Sequence, residues 1–141
     1  MQRILVPLDG SPSSDSAVRH VIAMSKMGIE SEIHLLHVQP QLVPGNVPDI
    51  AKPGLVERLG LDDADHAFGA AKRLLGEAAL RYSTRTDVGD PAQQIALYAD
   101  VHSCSAIVMG TRGLGPIKDL VLGSVATKVL HLVKVPVTLV K

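Results

Sequence analysis

Short apolar runs alternate with helically spaced apolar residues along the whole chain. The runs predict five strands, over residues 3–8, 32–38, 83–88, 105–109 and 135–140. Between them, helical spacing predicts one helix carrying Ala17, Val21, Met24 and Met27, a second over 62–81, a third from Asp90-Pro91, and a fourth carrying Leu122, Val125, Val129 and Leu132. This alternation predicts a single α/β domain over 1–141, an open five-stranded parallel sheet with helices on both faces, Rossmann-like in plan.

Caps and breakers set the expected boundaries of these elements. Ser13 or Ser14 is the expected N-cap of the first helix, and Gly28 is placed to end it. Prolines and glycines exclude regular structure from 40–54, a long connection typical of a lid, an interface segment or a partly disordered stretch. The alternating run 135–140 predicts an edge strand with one exposed row. Because unprotected edges pair readily, we expect a homodimer through it.

Composition narrows the classes of partner. The 141 residues fit one domain, and 46% hydrophobic content is enough for a continuous core. Fourteen basic residues balance fourteen acidic ones without a basic stripe, which argues against a nucleic-acid binder. The only aromatic residues are Phe68, Tyr82 and Tyr98, so aliphatic side chains and backbone groups would have to hold any adenine ring.

The reactive side chains suggest no metal or disulfide chemistry. Cys104 is alone, which excludes a disulfide framework, and it is expected to be a small packed residue. No histidine pair has the spacing of a helical zinc site, and His34 and His37 should point to opposite faces of a strand. With no leader-like start and no apolar run of about 20 residues, we expect a cytoplasmic protein without a membrane segment.

Two loops are candidates for a ligand site. Ligands of open α/β sheets bind at the carboxyl ends of the strands, so Asp9-Gly10-Ser11 and 110–113 should be neighbours if the first and fourth strands are adjacent. Gly110 and Gly113 are two residues apart, and nine residues separate Gly113 from Gly123 at the start of the fourth helix. Glycine permits backbone conformations that aim amides at an anion, and a helix N-terminus adds more amides. The alternative is that these are turn and packing glycines.

The same residues carry a resemblance to a known family. The run 110–124 matches the G-x2-G-x9-G-[ST] motif of ATP-binding universal stress proteins, and ILVPLDGS and VPVTLVK are similar to that family's first and last strands. The resemblance covers essentially the whole chain. It implies an adenine nucleotide alpha-hydrolase-like fold, often a homodimer, that binds ATP, with Mg²⁺ as a possible companion. The motif glycines and Ser124 would contact the triphosphate, and family members without the motif do not hold ATP.

The resemblance also implies a full set of nucleotide-binding residues. These are Pro7, Leu8, Asp9, Val38, Gly110, Arg112, Gly113, Gly123, Ser124 and Val125. Asp9 would accept hydrogen bonds from the ribose hydroxyls, or it could be an ordinary turn aspartate. Val38 would pair its backbone with the adenine edge, with Pro7 and Leu8 near the base. Arg112 could pair with phosphate oxygens or be solvated.

Three functions remain open at this point. A nucleotide-dependent regulatory module for stress response is favoured, because phosphoryl transfer needs a positioned base and a metal-holding acid. Near the expected γ-phosphate, Asp119 could assist Mg²⁺ or be a solvated loop acid, and Lys118 and Lys128 are expected on the surface. A slow ATPase or nucleotidyl-transfer enzyme is the second possibility. A nucleotide-free dimeric scaffold is the third.

Overall fold

A computed structural model describes residues 1–41, 55–112 and 122–141. Strands and helices alternate in the order β1 (Gln2–Pro7), α1 (Pro12–Lys26), β2 (Ser31–Gln39), α2 (Leu55–Glu77), β3 (Tyr82–Val88), α3 (Pro91–Val101), β4 (Ala106–Gly110), α4 (Ser124–Leu132) and β5 (Val137–Val140). The five strands form one sheet in the order β3-β2-β1-β4-β5, and every pairing is parallel. The predicted α/β class and open parallel sheet are confirmed.

The central strand, β1, sets the plan of the sheet. It pairs with β2 on one side and β4 on the other, so the expected adjacency of the first and fourth strands is confirmed. The chain runs outward in one direction from β1 through β2 to β3 and in the other through β4 to β5. The strand order therefore reverses between β1 and β4, which is where open α/β sheets bind ligands.

Hydrophobic cores cover both faces of the sheet. Successive residues of a strand point to opposite faces. Accordingly, Ile4 and Val6 pack in the core formed with α1 and α2, while Leu5 packs in the core formed with α3 and α4. All three side chains are fully buried. Near-continuous apolar strands are thus a consequence of burial on two faces.

The first helix begins earlier than the sequence suggested. Its N-cap is Ser11, whose side chain accepts a hydrogen bond from the Ser14 amide at 3.2 Å, so the expectation of Ser13 or Ser14 as the cap is wrong. Pro12 occupies the first helical turn, where its missing N–H costs nothing and its fixed φ suits the helix. The predicted end is confirmed, because Gly28 follows the C-cap Met27 with φ +88°.

Other boundaries also differ from the prediction. Helix α2 begins at Leu55 and ends at Glu77, rather than spanning 62–81. Its end coincides with a left-handed backbone at Ala79 (φ 55°), which no glycine announces in the sequence. Helix α4 begins at Ser124 and leaves out Leu122. In the 40–54 stretch, residues 42–54 lie outside the described residues, so the prediction made there is not tested.

Strand β5 lies at the edge of the sheet, as its alternating pattern predicted. Val137 and Leu139 are half-buried and pack against the α3–α4 core, while Thr138 is exposed between them. The opposite edge strand, β3, is exposed along most of its length. Considering only residues 1–41, 55–112 and 122–141, no helix is both long and apolar enough to span a bilayer.

Candidate functional site

A cleft of about 590 Å³ opens at the carboxyl end of the sheet, where β1 and β4 diverge. Its size suits a ligand as large as a nucleotide. Nine of the predicted site residues line it, namely Pro7, Leu8, Asp9, Val38, Gly110, Arg112, Gly123, Ser124 and Val125. Gly113 lies outside the described residues, as do Lys118 and Asp119. The structure thus brings into one cleft all the predicted site residues that it describes.

The turn after β1 is held by Asp9. One carboxylate oxygen, Oδ1, accepts a hydrogen bond from the Ser11 amide at 2.9 Å, so the turn interpretation of this residue is observed directly. Asp9 also lines the cleft, where its second oxygen can accept a bond from a ligand. Gly10 follows with φ +82°, and a Cβ atom there would come within 2.7 Å of the His66 ring. The turn therefore needs glycine for its backbone conformation, and a Cβ there would also displace the His66 ring.

The two ends of the glycine motif meet across the cleft. The Gly123 amide donates to the Thr111 carbonyl at 2.6 Å, which places the end of β4 beside the start of α4. The Gly123 amide therefore donates to the protein's own backbone. Neither Gly110 nor Gly123 has positive φ, so the expectation that they supply unusual backbone conformations is wrong. At Gly110 the requirement is space, because a Cβ would lie 2.7 Å from the Ser13 carbonyl carbon.

The N-terminus of α4 is the electropositive part of the cleft. Helices α1 and α3 are each capped by a side chain, Ser11 and Asp90 respectively, and the Asp90-Pro91 start of α3 was predicted. The N-cap of α4 is Gly123, which has no side chain to offer. Among the described residues no side chain caps α4, and Ser124 and Val125 at its start line the cleft. The first amides of a helix and its dipole together favour an anion at such a point.

The other end of the cleft is apolar and aliphatic, as the scarcity of aromatics required. Its lining includes Leu36, Val38, Ile95 and Met109. The backbone of Val38 adds polar groups to this surface. Leu36 O accepts from the Leu8 amide on the β1 side, and Gln39 O accepts from the Gly89 amide on the β3 side. Since backbone groups alternate along a strand, the N–H and C=O of Val38 point toward β1, past the strand's end at Pro7.

Three ionisable residues of the cleft were missed by the sequence analysis. His37 contacts the Leu8 carbonyl through Nδ1 at 2.8 Å, and its ring meets Phe68 edge-on. Asp63 and His66, on α2, lie on the rim. Their spacing of three residues marks one helix face, but only the tertiary packing of α2 over the Gly10 turn brings that face to the cleft.

A second polar cluster lies at the opposite end of the sheet. His34 is buried and contacts the Tyr98 hydroxyl through Nδ1 and the Glu32 carboxylate through Nε2, both at 2.8 Å. The His34 hydrogen bond holds the pKa of Glu32 below its ordinary value, and burial raises the pKa of Tyr98. Because His34 faces α3 while His37 faces α2, their predicted opposite orientation is confirmed.

The single cysteine and the histidine and acidic side chains are the remaining candidates for thiol and metal chemistry. Cys104 is buried, as predicted, and burial raises the pKa of its thiol, which favours the protonated form. Within the described ranges, no three His, Cys, Asp or Glu side chains are grouped so that they could hold a metal ion. Lys128 is exposed, as predicted, with its Nζ 3.7 Å from Asp90.

Comparison with known proteins places the chain in a family. The model of the universal stress protein family matches residues 1–141. Universal stress protein MJ0531 of Methanocaldococcus jannaschii is 29% identical over 99% of this chain and 82% of its own length. A universal stress protein of Methanothermobacter thermautotrophicus is 31% identical over 99% of this chain and 95% of its own.

Solved structures agree with these sequence matches. The structure of protein MJ0577 superposes with a TM-score of 0.83 at 28% identity, covering 99% of this chain and 95% of that one. UspA from Lactobacillus plantarum has the same fold, with a TM-score of 0.82 at 23% identity over 99% and 97% of the two chains. The resemblance carried by the glycine motif and the flanking strands is confirmed, and the chain belongs to the universal stress protein family.

Proposed function

We propose that the cleft binds ATP and that the protein acts as a nucleotide-dependent regulatory module in a stress response. The observation that carries this proposal is the N-terminus of α4, which lines the cleft and which no side chain of the described residues caps. Amides there can donate to phosphate oxygens, and the Ser124 hydroxyl adds another donor. Gly110, Arg112 and Val125 line the same end of the cleft and complete the phosphate site.

The apolar end of the cleft takes the adenine ring. The N–H and C=O of Val38, which face the cleft past the end of β1, match the N1 acceptor and N6 donor of adenine. Guanine presents the opposite pattern, a carbonyl at C6 and an N–H at N1, and is disfavoured. Pro7 and Leu8 lie beside the base. Universal stress proteins have been solved with cAMP, with dAMP (Archaeoglobus fulgidus) and with AMP (Arabidopsis thaliana), which supports an adenine nucleotide here.

The ribose lies between these two ends, beside Asp9. One oxygen of this carboxylate is held by the Ser11 amide, which fixes the orientation of the group. The other oxygen accepts hydrogen bonds from the ribose hydroxyls, and such bonds to a charged acceptor are stronger than neutral ones. The ribose role and the turn role of Asp9 are therefore compatible, since they use different atoms.

Binding rather than turnover is the function that we favour. In the described part of the cleft, the phosphate end offers backbone amides, a hydroxyl and Arg112, while the carboxylates of Asp9 and Asp63 belong to the ribose side and the rim. Rapid phosphoryl transfer requires an acid that holds Mg²⁺ beside the phosphates and a group that orients the attacking water. The slow ATPase and the nucleotide-free scaffold remain the alternatives that the experiment must exclude.

A homodimer through β5 completes the proposal. Within the described ranges, the edge strand β5 pairs with β4 alone, and Leu130 and Leu132 of α4 are exposed close to it in sequence. Antiparallel pairing of two such edges would extend the sheet across a two-fold axis. Sedimentation equilibrium at micromolar concentration tests this. A monomeric mass would exclude the dimer.

Thermal melting with ATP·Mg²⁺ tests the binding function. At a ligand concentration about 100-fold above Kd, the folded state should gain about 2.7 kcal/mol and Tm should rise by several degrees. The variant Ser124→Asp places a carboxylate at the start of α4, which repels phosphate yet suits the helix dipole, so it should bind ATP poorly without losing stability. Ser16→Asp, in the first turns of α1 outside the cleft, is the matched control and should bind ATP normally.

The outcomes separate the three functions. No shift of the wild-type Tm with ATP would favour the scaffold. Steady formation of ADP would favour the ATPase. Chromatography of the nucleotide at intervals over hours measures it. A shift with ATP that Ser124→Asp abolishes, with the nucleotide recovered intact, supports the binding module.

A further inference from the structure

Two serine hydroxyls of the α1 start contact the backbone of Arg112. Ser11 Oγ donates to the Arg112 carbonyl oxygen at 3.4 Å, and the Arg112 amide donates to Ser13 Oγ at 3.4 Å. Both backbone polar groups of this cleft residue are therefore attached to the same end of the same helix. We call Ser11 and Ser13 the serine pair.

Ser13 also connects this contact to β5. Its hydroxyl donates to the Val140 carbonyl at 3.1 Å, and that carbonyl accepts the Thr111 amide at 3.0 Å as well. A serine hydroxyl has one hydrogen to donate and lone pairs with which to accept. Ser13 uses both capacities, giving its hydrogen to Val140 and accepting from Arg112. One hydroxyl thus ties α1, the end of β4 and the last strand together.

Packing reinforces the position of Ser13. Gly110 lies directly against it, so that a Cβ at residue 110 would fall 2.7 Å from the Ser13 carbonyl carbon and 2.8 Å from its Cβ, with Oγ closer still. Such distances are too short for real atoms. The β4 backbone can therefore come this close to α1 only because residue 110 is glycine. The hydrogen bonds of Thr111 and Arg112 then fix the two residues that follow.

Helix capping does not account for Ser13. Ser11 and Ser14 satisfy each other, because Ser11 Oγ accepts the Ser14 amide and Ser14 Oγ donates to the Ser11 carbonyl. The hydrogen bonds of Ser13 run instead to residues 99 and 127 positions away. A serine that only began the helix would bond within its own turn.

We propose that Ser13, assisted by Ser11, is a positioning residue that orients the 110–112 backbone toward the phosphates of the bound nucleotide. This inference rests on the proposed function, because it concerns the same cleft. The Ser13 hydroxyl bonds to Arg112 at the phosphate end of the cleft and to Val140 of β5, whereas Ser11 also holds Asp9 through its backbone amide. The effect of the Ser13 hydroxyl is therefore confined to the phosphates, and its removal leaves the adenine and ribose contacts at Val38 and Asp9 in place.

The test compares ATP with adenosine in the variant Ser13→Ala. Losing one orienting hydrogen bond should weaken ATP binding by about tenfold, measured by calorimetry, while adenosine binding stays unchanged. Ser16→Ala is the matched control. Its hydroxyl bonds to the Pro12 carbonyl within the helix, so it should bind both ligands as the wild type does. A merely structural defect would weaken ATP and adenosine alike.

Hydrogen exchange of the Arg112 amide in the wild-type protein provides a measurement that does not depend on the variant's folding or on ATP. Protection of this amide supports the serine-pair contact, and exchange at the rate of an open chain would overturn the inference. If the wild type binds ATP and Ser13→Ala binds it equally well, the inference also fails. If the wild type does not bind ATP, the proposed function fails, and this positioning role fails with it.

Discussion

The amide of Gly123 donates to the carbonyl of Thr111 at 2.6 Å, although the two residues belong to opposite ends of the glycine motif. This hydrogen bond sets the start of α4 beside the end of β4. The Thr111 amide in turn bonds to Val140, so the junction is attached to the last strand as well. The α4 N-terminus, where we propose that an anion binds, is therefore held in place by backbone hydrogen bonds to the end of β4 and, through it, to the last strand.

The packing of Gly110 against Ser13 predicts that alanine is destabilising at residue 110. Gly110→Ala should destabilise the fold by about 1–3 kcal/mol, because its Cβ meets the α1 backbone at 2.7 Å and the neighbouring atoms must shift. ATP binding should weaken too, since the displaced segment includes the cleft residues 110–112. Urea denaturation followed by circular dichroism measures the first effect, and calorimetry measures the second.

Gly69→Ala is the control for this substitution. Gly69 lies on an exposed face of α2, where an added Cβ has no atom within 4 Å. Alanine should therefore stabilise the helix by about 0.5–1 kcal/mol and leave ATP binding alone. Equal stability changes for the two variants would contradict the close approach of Gly110 to α1.

The sequence was informative at several places where a local rule decided the structure. Apolar runs such as 105–109 identified the buried strands, Asp90-Pro91 identified the start of α3, and Gly28 identified the end of α1. The glycine motif and Asp9 were expected to be neighbours on the condition that the first and fourth strands are adjacent, which they are. These are signals carried by a few neighbouring residues.

Features that depend on tertiary contacts could not be predicted in this way. The need for glycine at residue 110 comes from Ser13, far away in sequence, and not from a local backbone conformation. His66 belongs to the cleft because α2 packs across the Gly10 turn, and its own helix gives no indication of this. The end of α2 at Glu77 depends on a left-handed alanine, for which the sequence has no marker.

The orientation of the Val38 backbone predicts selectivity for the base. ATP should bind at least about tenfold more tightly than ITP, because inosine places a carbonyl and an N–H where adenine has its N6 donor and N1 acceptor. Competition of the two nucleotides for the wild-type cleft measures the ratio. Val38→Ile keeps the backbone groups and should keep the preference. Equal affinities for ATP and ITP would show that the base is not held at this edge.

The Glu32–His34 hydrogen bond predicts a pH-dependent contribution to stability. The bond to His34 holds the folded-state pKa of Glu32 below the ordinary 4.5, so the contribution is complete above pH 4.5 and is lost as pH falls through the lowered folded value. Glu32→Gln should therefore lower Tm at neutral pH, and the difference from wild type should shrink in acid. Glu77→Gln, which disrupts an exposed pair with Arg73, is the control and should change Tm little. A Tm difference for Glu32→Gln that stayed constant from pH 7 to pH 3 would rule out this linkage.

The two oxygens of Asp9 allow its structural and ligand roles to be separated. Asp9→Asn keeps a carbonyl oxygen for the Ser11 amide and should fold with near-wild-type stability. Asp9→Ala loses this hydrogen bond, so its free energy of unfolding should fall by about 1 kcal/mol. Both variants lose the charged acceptor for the ribose and should bind ATP about tenfold more weakly. Binding of 2′,3′-dideoxy-ATP should be weak in the wild type and almost unaffected by Asp9→Asn, because the hydroxyls that the carboxylate would accept from are absent. If Asp9→Asn weakened ATP and dideoxy-ATP by the same factor, the carboxylate would act on some other part of the nucleotide.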